Sequence, residues 1–188
     1  MDHQTIIDAT RRWISSMVIG LNLCPFAQRV FRGDTIRYVV TDAPDETSLL
    51  KALADELATL ASSPITSIET TLLIHPHALA DFLDYNDFLG AAENLVAQLG
   101  LEGKIQIASF HPDYQFADTA PDAAENFTNR APYPMLHLLR EESITAVAGD
   151  PDELLEIPRR NIETLRALGK VKLLEKLKAI RDGSSPST

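Results

Sequence analysis

Across residues 4 to about 22 the apolar side chains Ile6, Ile7, Trp13, Ile14, Met17, Val18 and Leu21 recur at the spacing of one helix face, with Arg11, Arg12, Ser15 and Ser16 between them. This pattern predicts an amphipathic helix, which Asn22 and Pro25 end. Residues 35–41, TIRYVVT, are β-branched and aromatic and predict a strand. After a turn at residues 42–45, Asp45 or Thr47 caps a helix running to about residue 61, with Leu49, Leu50, Leu53, Leu57 and Leu60 along one face. A second strand is expected at 69–74, and a helical region at 78–99, broken near 84–87 and closed by Gly100 and Gly103. A third strand at 104–110 delivers the chain into His111. Residues 135 to about 148 read as a further helix, 150–158 as a turn or short helical piece, and 159–180 as a last amphipathic helix.

Strands alternating with helices imply parallel pairing through right-handed crossovers. The expected class is α/β, a small, mostly parallel sheet of about three strands with helices packed on it, plus amphipathic helices at the N- and C-terminal ends. One domain over 1–181 and a disordered polar tail over 182–188 complete the expectation, with no internal repeat or linker in the 188 residues. Parallel strands present their carboxyl ends on one edge, where ligands of open α/β sheets bind. The residues just past those ends are Asp42, then His75 and His77, then His111 and Asp113.

Candidate chemistry concentrates at 109–140, where four prolines (Pro112, Pro121, Pro132, Pro134) shape a long loop. His111, oriented by Asp113 and joined by the phenol of Tyr114, has the makings of a general acid or base. Asn126, Asn129 and Arg130, walled by Tyr133, supply the donors, acceptors and guanidinium that hold a polar or anionic small molecule. The competing interpretation has the asparagines bonded to loop backbone and Arg130 paired with Glu125 or Asp122, holding the loop in shape. His75, His111 and His137 are the right residue types for a divalent transition metal, without a spacing signature to fix them. Cys24 follows a predicted helix, whose C-terminal dipole would raise a thiol pKa, so it reads as a buried structural cysteine rather than a nucleophile.

Seventeen basic against 27 acidic residues give a formal charge of −10, which disfavours nucleic acid and anionic membrane surfaces as partners. There is no cationic leader and no long apolar run, so a soluble, cytoplasmic protein is expected. A single cysteine rules out an internal disulfide and any multi-cysteine metal cage.

Several long strings resemble a bacterial family catalogued as a domain of unknown function, number fourteen-fifteen of its series. They are GLNLCPFA at 20–27, ETTLLIHP at 69–76, YNDFL at 85–89, ASFHPDYQFA at 108–117, NFTNRAPYPMLHLLRE at 126–141 and IPRRNI at 157–162. Phe127 and Ala131 stand where the family pattern has Tyr and Ser. The resemblance implies no activity. Two functions stay open from the residues: a His-based, metal-assisted or acid–base enzyme acting on a small polar or anionic molecule at the carboxyl ends of the strands, or a non-catalytic scaffold using the 109–140 loop as an interaction surface.

Overall fold

In a computed structural model the described residues are 2–148 and 151–183, excepting the side chains of 147–154. The tail expected at 182–188 therefore lies outside the described residues from 184 onward, and 182 and 183 close a helix. The first predicted helix is two pieces: α1 (His3–Trp13) passes into a π-helical segment (Ile14–Ile19). Wide-turn bonds mark the change, the Gly20 amide donating to Ser15 O and that of Leu23 to Val18 O. A Cβ at Gly20 would lie 2.5 Å from the Ser16 carbonyl oxygen, so only glycine fits there. A short helix, α2 (Ala27–Arg32), then leads to β1 (Ile36–Val40).

Asp45 caps α3 (Glu46–Ser62) by accepting a 2.8 Å bond from the Ser48 amide, and β2 (Thr70–Ile74) follows. The next helix, α4 (Phe82–Gln98), is capped by Asp81 and runs unbroken, contrary to the expected interruption. Its polar stretch at 84–87 lies within one amphipathic helix whose Tyr85 and Phe88 are buried. Then come β3 (Ile105–Phe110), a 3-10 turn (Ala124–Thr128) and β4 (Met135–Arg140).

The sheet corrects two expectations. It has four strands, ordered β1-β2-β4-β3, and it is mixed: β1 and β2 pair parallel, while β4 lies antiparallel between β2 and β3. The expected helix from residue 135 begins instead as this strand, and α5 (Glu141–Ala148) starts only after it. MLHLLR is apolar on both faces because β4 is an inner strand covered on both sides, and such short apolar runs have no periodicity that separates strand from helix. Because β4 reverses direction, β1, β2 and β3 still run the same way, and their carboxyl ends share one edge.

The C-terminal region also divides differently from the expectation. Helix α6 (Pro151–Leu168) runs through Pro158, and the break comes at Gly169, whose φ of 83° only glycine adopts readily, before α7 (Lys170–Asp182). Two cores result. Leu73, Leu136, Leu138 and Ile105 pack against α3 and α4 on one face. Leu72, Ile74 and Met135 pack against α1, the π segment, the 3-10 turn and the helical C-terminus on the other. Arg12 ties the ends of the second layer together, donating to Ile180 O at 3.1 and 3.2 Å.

Candidate functional site

At the shared carboxyl edge Tyr85 is the hub: its hydroxyl donates to Met135 O at 2.9 Å and accepts from the Phe110 amide at 3.0 Å. His75, fully buried, stacks on it at 5.8 Å and donates from Nδ1 to Ala78 O at 3.0 Å. Its Nε2 is buried without a partner, and burial together with His111 pushes its pKa down to about 4. His111 accepts the Asp113 amide at Nδ1 (3.0 Å) and donates from Nε2 to Leu79 O (3.2 Å). Both ring nitrogens are thus engaged, and burial lowers its pKa. It is the backbone amide of Asp113 that touches the ring; its carboxylate acts only through space. Asp42 binds His3 at 3.0 Å and stands 3.9 Å from His77 at the exposed rim.

The loop that follows closes on itself. Asn126 is buried, its Oδ1 accepting from the Phe116 amide (3.1 Å) and the Thr119 hydroxyl (2.9 Å), its Nδ2 donating to Ala120 O (2.9 Å). Asn129 donates to Ser109 O at 3.0 Å. Arg130 donates to Tyr114 O at 3.1 Å and Pro121 O at 2.7 Å, its guanidinium 4.8 Å over the Phe127 ring. Its partners are carbonyls rather than the carboxylates expected from sequence; Glu125 pairs with Arg166 at 2.6 Å and Asp122 with Lys170 at 3.3 Å. The Tyr114 ring packs between Phe82 and Phe116, and Tyr133 is half-buried against the core.

His137 is not brought to this edge. Successive strand residues face opposite sides, and His137 shares the side of Leu72 and Thr70, whereas His75 and His111 lie with Tyr85 on the α4 side. Among the described residues no group of three or more His, Cys, Asp or Glu is placed to hold a metal ion.

What His137 does line is a cavity of about 250 Å³ on the other sheet face, toward the end where β1 and β2 begin. Its walls are mostly apolar: Ile14 and Val18 of the π segment, Phe26 and Val30 around α2, and Leu72, Ala108 and Phe110 of the sheet. Trp13 closes one side, edge-on to Phe110 at 5.2 Å and donating its indole N–H to Arg130 O at 3.0 Å. Such a π segment often marks a functional place in a helix.

The charged groups of the wall are engaged with one another or with backbone. Arg29 grips buried Glu69 through both nitrogens, one bond at 2.8 Å, and Arg140 donates to Leu60 O and Ser63 O at 2.6 Å, covering the last carbonyls of α3. Burial pushes His137 down to about 4. Buried Ser143 keeps its hydroxyl without a partner. Cys24 also lines the wall, after the π segment as expected but also just ahead of α2; burial, rather than a helix C-terminus, raises its pKa, and the amides of Phe26 and Ala27 oppose that rise.

Sequence reasoning named His137 and Cys24 but missed Thr70, Ser143 and Trp13 as their neighbours. Reading 135–140 as a strand would have set His137 against Leu136 and Leu138, which is the one local signal available.

The family model described as "Protein of unknown function (DUF1415)" matches residues 5–175. No curated protein and no solved structure matches the chain.

Proposed function

Since the chain belongs to the DUF1415 family, whose description carries no activity, we propose from the site alone that it binds a small, mostly apolar molecule in the cavity between the sheet and the α1–π–α2 segment. The observation that carries this reading is the cavity itself. Protein interiors are packed to crystal-like density, with few voids larger than a water. This pocket of about 250 Å³ is bounded mostly by apolar side chains and opens in part to solvent, so its walls keep apolar surface in water until something covers them. An occupant with an apolar body would take that surface out of water. A concave, largely apolar pocket with a few polar groups is also the usual form of a small-molecule site.

His111, and with it Asp113 and Tyr114, carries no step in this reading, because both ring nitrogens of the histidine are engaged within the fold. The same holds for Asn126, Asn129 and Arg130, which brace the loop. A thermal melt in saturating toluene tests the proposal. The parent should melt several degrees higher with toluene, and Ala108→Leu, which fills the cavity from β3, should abolish that gain while leaving the protein folded. An unchanged parent melt would count against it.

A further inference from the structure

The Thr70 hydroxyl has one proton and two close neighbours, Leu138 O at 2.6 Å and His137 Nε2 at 2.7 Å. A carbonyl only accepts, so the proton goes to Leu138 and the ring nitrogen must be the donor. That fixes the tautomer: Nε2 carries the hydrogen, and Nδ1 is left as a lone-pair acceptor on a residue lining the cavity. The Ser143 hydroxyl of the wall is buried and without a partner, while the Gln106 amide, also on the wall, is exposed to solvent. Among the described lining residues every charged one has its partner: Arg29 with Glu69, Arg140 with the α3 carbonyls.

We infer that the ligand is a neutral molecule with an apolar, ring-sized body and a hydroxyl or N–H group, the latter donating to His137 Nδ1. This rests on the cavity reading above and specifies its ligand class. A carboxylate or phosphate would set negative charge against the Nδ1 lone pair, with Arg29 already answered by Glu69 and Arg140 held to the α3 carbonyls and 3.9 Å from Glu142, inside a chain whose net charge is already −10. A purely apolar body would leave Nδ1 and the Ser143 hydroxyl desolvated and unpaired. Size follows from volume: a cavity of about 150 Å³ takes a benzene ring, so about 250 Å³ accommodates roughly ten non-hydrogen atoms. Phenolic compounds and small cyclic alcohols or amides satisfy each condition.

Three probes of nearly one shape separate the alternatives: toluene, p-cresol, which adds a hydroxyl, and p-toluate, which adds a carboxylate. Titration calorimetry on the full chain should give p-cresol roughly five- to tenfold tighter binding than toluene, the worth of one neutral hydrogen bond, with p-toluate weakest. His137→Phe should bring p-cresol to the affinity of toluene. Thr70→Val, which no longer fixes the tautomer, should narrow the gap in a protein that keeps its imidazole, and serves if His137→Phe does not fold. Toluene binding as well as or better than p-cresol would overturn the ligand class and leave the cavity reading standing. Binding by neither would overturn both. Preference for p-toluate would mean that a cation in the wall is available after all, and the inference fails.

Discussion

A buried histidine behaves quite differently from the exposed reactive one that its residue type suggests. His75 and His111 were legible in the sequence as chemistry-bearing groups beside prolines, and the structure sets them where the pattern of strands sends them, just past β2 and β3. What no single sequence displays is that Ala78, Leu79 and the Asp113 amide would engage their nitrogens. The consequence is measurable. His75 titrates near 4 in the fold against an ordinary value of 6.5, so between those values the unfolded chain binds the extra proton. Stability is then fully present above about pH 6.5 and falls as pH drops toward 4, by on the order of 3 kcal/mol for this residue. Urea melts from pH 7 to 4 should show that decline, and His75→Asn, which keeps a donor for Ala78 O, should have a flatter slope. An equal slope in the variant would contradict this assignment.

At the scale of elements, strands β1, β2 and β3 and helix α3 were readable because each has one dominant pattern, β-branched runs or leucines at helical spacing behind an Asp cap, whereas α4 was expected as a region at 78–99 broken near 84–87 and is one helix capped by Asp81. β4 was not readable. An inner strand covered on both faces loses the alternation that identifies strands, and MLHLLR also suits a helix. The loop before it was legible as a shaped segment from its prolines, but its side chains serve the shape. Arg130, from the second half of the loop, holds the Tyr114 and Pro121 carbonyls of its first half and covers Phe127. Arg130→Ala should therefore destabilise the protein by about 2–3 kcal/mol, through two unpaired carbonyls and a lost cation–π contact. A change under about 0.5 kcal/mol in a denaturant melt would mean that the guanidinium is held for something other than the loop.

For the whole molecule, the expected convergence of strand ends is present, since β1, β2 and β3 are co-directional although an antiparallel strand intervenes. At that edge the rings of His75, Phe82 and His111 pack around Tyr85 above an open, shallow cleft at Leu79–Asp81, whereas the apolar cavity lies across the sheet and toward the opposite end, under the α1–π–α2 segment. The placement of β4 decides this, because it puts His137 on the cavity face and brings Arg140 and Ser143 to the rim. No described helix is long and apolar enough to cross a membrane. The most direct test is a crystal structure of the protein grown with saturating toluene. Binding as proposed requires toluene density between Trp13, Phe110 and His137 with the sheet unchanged; a cavity without toluene, or toluene bound beside His111 at the carboxyl edge, would contradict it.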